Sequence, residues 1–369
     1  LFMASKVYFA DIRARSNEES KAAKVKKLFD KAGFGDLISE EDLTAIKVHV
    51  GEAGNDSHIS PVFVRQVVDK IKEQGGKPFV GDTNTLYSGQ RHNSVDHLNV
   101  ANQHGFTYAV LNAPVIIADG LRSQDIVNVE INQKHFDEVK IASDFVSTDS
   151  MIAMSHFKAH ELAGFGGAIK NIAMGCAPAA GKKDQHNVEF FADDEKCIAC
   201  GTCAEVCPED AITVNETAEI DTEKCIGCGE CVTVCPTEAI ESDWEAEIGP
   251  FMERMTEQAY GSVKGKEDKV GYINFVLNIT PDCDCVPWSD APIVPDIGIL
   301  ASTDPVALDK ASYDLVNEKE GFESSFLKSN FAAGEDKFKG LRDHTEGYIQ
   351  IEYGAEIGLG DDEYELIEL

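Results

Sequence analysis

Eight cysteines within forty residues restrict what this chain can fold into more than any other feature. They read Cys197-x2-Cys200-x2-Cys203-x3-Cys207-Pro208 and then Cys225-x2-Cys228-x2-Cys231-x3-Cys235-Pro236. This is the bacterial-type run that holds two [4Fe–4S] clusters, in which the fourth cysteine of each run ligates the other cluster. The spacing assigns Cys197, Cys200, Cys203 and Cys235 to one cubane, and Cys225, Cys228, Cys231 and Cys207 to the other. Three thiolates two residues apart line a tight loop around one corner of a cubane. Gly201, Gly227 and Gly229 let backbone approach the sulfides, and each proline stops the chain continuing as helix. Zinc sites usually take their ligands as two separated pairs. Disulfide frameworks belong to small secreted domains, and the N-terminus reads as neither signal peptide nor other targeting segment.

The length of 369 residues allows two or three domains, and 43% hydrophobic residues suffice for a sizeable core. No run reaches the ~18 apolar residues of a membrane span. Eleven cysteines point to a reducing compartment, so a soluble cytoplasmic protein is expected, in an anaerobic or microaerobic host. The net charge of −32 argues against nucleic acid, whose phosphates require clustered Lys and Arg. Residues 190–242 carry thirteen Asp and Glu against two Lys. Such a lobe is either a solubilising surface or a steering surface for a basic redox partner protein.

Around the cysteine stretch, strands alternate with helices. Residues 6–10, 45–50, 77–80, 113–118 and 270–279 read as strands, with two more between 139 and 154. Helices are expected over 19–32, 61–74, 94–104, 245–260 and from Pro305 to about 319. The expected fold is therefore α/β, a mainly parallel sheet with helices on both faces. It is interrupted by a small ferredoxin-like α+β domain whose halves repeat at 28 residues. The boundaries are 3–187 and 243–369 for the two parts of the α/β domain and 188–242 for the insert, whose ends should lie close together. The acidic tail, 352–369, is expected to be only partly ordered. Loops at the carboxyl ends of parallel strands build sites in such folds, and Asp82 lies on one.

A second constellation lies outside the cysteine runs. His156 and His160 are four apart and would share a helical face. Gly164-Phe-Gly166-Gly167 precedes an apparent helix start, where exposed amides can cradle a phosphate or carboxylate. Lys170 would add a positive charge one turn in, beside Asn171. Cys283 and Cys285, two apart, would face the same side of an extended segment. With Cys176 and a histidine they make a donor set for zinc or a third iron–sulfur centre; the alternative is that all three are small buried hydrophobes.

The Asp82 loop, the stretch from His160 to Lys170-Asn171 and the turn Ala301-Ser-Thr-Asp-Pro305 resemble the family known as domain of unknown function 362. Many of its members carry a two-cluster ferredoxin module. More remotely, His160-Glu-Leu-Ala163-Gly164-Phe-Gly-Gly167-Ala-Ile-Lys170 is similar to a stretch of the lactate racemase family that contributes to a nickel-pincer nucleotide site. That likeness implies Lys170 as a cofactor attachment point and His160 as an acid/base group or nearby contact.

The sequence thus leads to an iron–sulfur oxidoreductase passing electrons between two [4Fe–4S] clusters and a site in the α/β domain. There Lys170, Gly164, Gly166, Gly167 and Asn171 would position a small anionic substrate. His156, His160 and Asp82 would serve the chemistry. The rival expectation is a non-catalytic electron carrier or a subunit of a larger redox complex.

Overall fold

In the computed structural model, residues 4–87, 89–225, 227, 230–242 and 247–369 are described. Eight strands form one sheet: β1 (Ser5–Asp11), β2 (Leu43–Val48), β3 (Lys77–Asp82), β4 (Val115–Ile117), β5 (Ser150–His156), β6 (Val270–Val276), β7 (Gly298–Ser302) and β8 (Tyr364–Glu368). Their order is β8-β1-β7-β6-β5-β2-β3-β4. Only β7 runs against its neighbours β1 and β6; the other pairings are parallel. The central strands are near-continuous apolar runs, as strands covered on both faces must be.

Their alternate side chains feed two cores. Ala45, Met151, Ala153 and Tyr272 point to one face. There they meet helices α3 (Ala168–Cys176), α5 (Ile248–Val263), α6 (Pro305–Asn317) and α7 (Ile349–Glu356). Ile46, Ile152, Met154 and Ile273 point to the other, packing on α1 (Lys21–Lys31) and α2 (Pro61–Glu73). Helix starts follow local chemistry. Ser60 Oγ accepts from Val62 N ahead of Pro61, and Asp304 caps Val306 and Ala307 ahead of Pro305.

The acidic tail departs from expectation, because residues 349–356 are helix α7 and 364–368 are strand β8. β8 pairs in parallel with β1 from Ser5–Tyr364 to Phe9–Glu368. Tyr364 and Leu366 pack on the larger core while Glu365 between them faces solvent. That two-residue alternation is what an edge strand requires.

The cysteine-rich stretch is a small unit with its own apolar cluster, which includes Phe190, Cys203, Ile212, Cys231 and Ile240. Residues 190–192 pair antiparallel with 240–242, so its two ends lie side by side. A second ribbon joins 212–214 to 218–220. None of the described helices is long and apolar enough to cross a membrane.

Candidate functional site

The chain steps from β2 outward through β3 and β4, then returns to place β5 on the other side of β2. Parallel α/β sheets bind ligands at such a reversal, beyond the carboxyl ends of the strands. A cavity of about 380 Å³ lies there. Its walls include Lys47 at the end of β2, Asp82 at the end of β3, and Ser155 and His156 at the end of β5.

Five cations line this cavity: Lys47, Arg91, Lys158, Lys170 and Lys182. Lys47 is fully buried and pairs with Asp82 at 3.1 Å, while its ammonium also donates to Asn171 Oδ1 at 2.9 Å. Burial works to raise the Asp82 carboxyl, but Lys47 and His97 outweigh it and hold it well below the usual carboxylate range. Asp82 is thus an ionised counter-ion on the cavity wall. Arg91 is held by Glu52 at 3.1 Å. Lys182 (on α4, Ala179–His186) donates to three neutral oxygens, Thr83 Oγ1, Asn84 O and Ala177 O, at 2.6–2.7 Å. Burial brings its amine down to about 8.

The expected anion cradle is occupied by the chain itself. The amides of Ala168 and Ile169, which open α3, donate to the carboxylate of Asp309 on α6 at 2.7 and 2.9 Å. Asn274 Nδ2 donates to the same group at 2.7 Å. A Cβ on Gly167 would lie 2.2 Å from Asp309 Oδ1, so the glycine is there to admit that carboxylate. Gly164 has φ +70°, where a side chain would meet the Gly347 backbone, and Gly166 lies against the Lys170 stem. Asn171 fastens α3 to β5 through Met154 O and Ser155 Oγ. Gly164, Gly166, Gly167 and Asn171 therefore shape and fix the wall. Of the four lining ammonium groups, Lys170 is, among the described residues, the one not already held by a protein oxygen.

The two histidines also differ from a helical pair. His156 ends β5, and Phe157 breaks to a short ribbon in which His160 pairs with Gly164. His156 Nδ1 contacts the Asp284 carboxylate at 2.9 Å and Nε2 contacts Leu277 O and Asn278 O at 3.0 and 2.9 Å. All of these are acceptors that engage both ring nitrogens, so His156 is an anchor with no nitrogen left for a metal.

Asp284 also accepts from Ser57 Oγ at 2.9 Å and pairs with Lys158 at 3.4 Å. It thereby pins the turn that carries Cys283 and Cys285. One ligand atom each of His160, Cys283 and Cys285 lies within 4.8 Å of the others, a spacing that could hold a metal ion. Yet His160 Nδ1 accepts from the amides of Leu162 and Ala163 at 3.2 and 3.1 Å. The neutral ring then carries its hydrogen on Nε2 and meets its neighbours as a donor. Burial, then Lys170, keeps that ring neutral, well below its ordinary value.

Cys176 does not join this group. It is buried at the end of α3, where burial pushes its thiol up to about 12. The three-thiol set expected from the sequence is thus a His–Cys–Cys set, with Cys176 a core residue.

In the cysteine-rich unit, Cys197, Cys200, Cys203 and Cys235 line one small cavity together. The amides of Ala211 and Ala239 donate to Cys207 Sγ and Cys235 Sγ at 3.2 and 3.1 Å, at matching positions of the two runs. Of the second set, Cys207, Cys225 and Cys231 are described and Cys228 lies outside the described residues. This second set adjoins the large cavity. Lys183, next to the cavity's Lys182 on α4, donates to Cys225 O at 2.7 Å, and its stem lies against Gly227. Leu86, a cavity-wall residue, belongs to the same apolar cluster as Cys203 and Cys231.

Sequence reasoning passed over Lys47, Arg91, Lys158, Lys182 and Asp284. For Lys47 a clue existed, a lone charge inside the apolar strand Ala45-Ile46-Lys47-Val48; Lys182 sits in a polar stretch that reads as ordinary surface.

No curated protein matches the sequence. Among solved structures, the lactate racemase apoprotein from Thermoanaerobacterium thermosaccharolyticum is similar at 13% identity with a TM-score of 0.38. The match covers 74% of this chain and 51% of that one, so the chain spans about half of that protein's length. A family model described as Domain of unknown function (DUF362) matches residues 44–314, from β2 through most of α6. That stretch holds the reversal of strand order, the cavity and the cysteine-rich unit: the chain belongs to the DUF362 family.

Proposed function

We propose that the protein is an iron–sulfur oxidoreductase of the cytoplasm that exchanges electrons with a small anionic substrate in the cation-lined cavity. Cys197, Cys200, Cys203 and Cys235 would hold one [4Fe–4S] cluster, and Cys225, Cys228, Cys231 and Cys207 the other, in a ferredoxin-like unit. The donor set fits: four thiols of the first set face one cavity, and amides already donate to sulfur. Such clusters supply one-electron steps at potentials set by hydrogen bonds to sulfur and by solvent exposure.

The observation that carries this reading is the place of the second cysteine set beside α4: Lys183, next to the cavity's Lys182, donates to Cys225 O, and Leu86 of the cavity wall shares an apolar cluster with Cys231. The first set is the outer one, with Cys200 exposed and Ile198 63% exposed. On this reading the acidic outer lobe meets a basic redox partner protein. A carrier without a substrate has no use for five cations around a buried cavity, and that favours the enzyme over the carrier. Lys170 is the anion-binding group, Lys182 adds its charge to the wall while its three donors stay on protein oxygens, and Lys47 and Asp82 set the wall between them.

Metal and sulfide analysis of anaerobically purified protein, with EPR after reduction, tests the clusters. About eight irons and eight sulfides per chain are expected for two cubanes. Zinc in their place, or a single cluster, would refute the reading. Small carboxylates or phosphate should perturb the EPR signal of the inner cluster, and Lys170→Met should abolish that perturbation.

A further inference from the structure

Electron exchange between clusters and cavity leaves the Cys283-Asp284-Cys285 turn without a role, although many bonds hold it in the cavity wall. The Asp284 side chain is anchored by Ser57, His156 and Lys158. Its carbonyl takes the Glu52 amide at 2.9 Å, Val286 N donates to Cys283 O at 3.1 Å, and Tyr87 Oη donates to Cys285 O at 3.1 Å. With Asp284 turned inward, both flanking cysteines line the cavity. The Lys170 ammonium stands 3.8 Å from Cys283 Sγ.

Within one chain, Cys176 shows what a merely buried thiol experiences: burial raises it. Cys283 is as deeply buried, yet a hydrogen bond from Cys285 and the charges of Lys170 and Lys158 hold its thiol well below the ordinary range. Cys285, as the donor of that bond, is pushed well above it. The Lys170 ammonium beside Cys283 favours the thiolate on that sulfur, and the Cys285 sulfur lies within 4.8 Å of it. That arrangement suits an attacking and a resolving cysteine.

We propose that Cys283 and Cys285 are a redox-active dithiol that reduces a small anionic disulfide admitted to the cavity. The Cys283 thiolate attacks one sulfur of R–S–S–R; the Cys283–S–S–R bond forms, the substrate S–S bond breaks, and RS⁻ departs. Cys285 then gives its proton to a departing thiolate and attacks Cys283 Sγ. The products are RS⁻, RSH and a Cys283–Cys285 disulfide, so charge and hydrogen balance. Restoring the pair takes two electrons and one proton, and the electrons come from the two clusters proposed above. Turnover therefore rests on the cluster reading, whereas the exchange half-reaction does not. Lys170 stabilises the attacking thiolate and is the cation available to an entering carboxylate, with the charge of Lys182 elsewhere in the lining adding to the attraction.

The test is anaerobic exchange of the reduced, iron-loaded protein with dithiodipropionate, a small dicarboxylate disulfide. Hydroxyethyl disulfide is its uncharged counterpart. Released thiol is quantified, peptides are mapped by mass spectrometry, and iron and sulfide are counted on the same samples. Wild type should release two thiols per chain and acquire a Cys283–Cys285 disulfide, reacting about tenfold faster with the dicarboxylate than with the neutral compound, as one gained charge contact implies. Cys285→Ser should release one thiol and retain a mixed disulfide on Cys283. Cys283→Ser should not react at the turn, and Lys170→Met should slow the first release about tenfold.

Reaction confined to the cluster cysteines, preference for the neutral disulfide, or a metal ion lost from the turn in Cys283→Ser would each overturn the proposal. Exchange without iron would sink the cluster reading and leave the dithiol. A full complement of iron with no exchange would do the reverse. Should Cys283→Ser fail to fold, the trapped mixed disulfide of Cys285→Ser still decides the matter.

Discussion

Asp309 is the residue on which the placement of Lys170 depends, and its protonation gives a signed, measurable prediction. Its carboxylate accepts from two opening amides of α3 and from Asn274, entirely out of solvent. Burial raises its carboxyl to about 6 from the ordinary 3.8, against the lowering effect of those three donors. A carboxyl raised in the folded state contributes stability that is complete below the unfolded value and is lost as pH rises through the folded one. Between those two values each pH unit is worth about 1.4 kcal/mol, so at pH 5 the group stabilises the closed helix start by about 1.4 kcal/mol and at pH 8 by about nothing. Asp309→Asn removes the titration while keeping the side chain's size. The assay is hydrogen exchange of the Ala168 and Ile169 amides, corrected for the intrinsic pH dependence of exchange. Protection in wild type relative to the variant should fall about tenfold from pH 5 to pH 8. A ratio that is flat, or that rises with pH, would refute the reasoning that burial dominates this carboxyl.

Gly167→Ala drives a methyl to 2.2 Å from the same carboxylate and should cost about 3 kcal/mol in urea unfolding. Asp284→Ala leaves Lys158 and His156 buried without their counter-ion; a loss of about 4 kcal/mol is expected, with the Cys283 thiol reacting more slowly with iodoacetamide. Lys183→Met removes the ammonium from Cys225 O, so the EPR signal of the inner cluster should shift while that of the outer one does not. On the cluster reading, chelating the iron should collapse amide protection in residues 190–242 and leave the strands of the large sheet protected, since a site built from thiolates links metal binding to folding.

The sheet was legible because fully buried parallel strands leave apolar runs that need no partner to be recognised. β7 was missed: Gly-Ile-Leu-Ala-Ser is five residues long and abuts the Asp304 cap, so the segment reads as the entry to a helix. β8 was missed because acidic content masked the alternation of Tyr364 and Leu366 with Glu363 and Glu365. The spacing of His156 and His160 read as helical, and only the break at Phe157 makes them end a strand and begin a ribbon.

The site itself was half legible. The residue types around the cavity's thiols were named correctly, but their grouping was not, because Cys176 and His160 exchange places only in three dimensions. The anion cradle failed for a related reason. Its occupant, Asp309, lies 141 residues from Ala168 in the middle of another helix, and no local pattern announces a cap supplied from such a distance.

The position of the cysteine-rich unit follows from the same reversal of strand order that opens the cavity. The connection from β5 to β6 has to cross the sheet face, and it does so through α3, α4 and α5. α4 stops at Asn187, whose left-handed conformation (φ +53°) turns the chain out of the helix, and the small unit begins there. Consecutive residues on a helix point about 100° apart, so Lys182 can reach the cavity while Lys183 reaches the Cys225 carbonyl. One helix therefore serves as a wall of two compartments. On the cluster reading proposed above, a change in charge on the cysteine side would act across α4 on a lysine whose amine burial brings down to about 8. An added electron on the inner cysteine set would favour the protonated Lys182, and a bound anion beside Lys182 would favour the less negative cluster. On that reading, reduction of the inner cluster and occupation of the cavity by an anion would be coupled across α4, with proton uptake at Lys182 offsetting part of the repulsion between them.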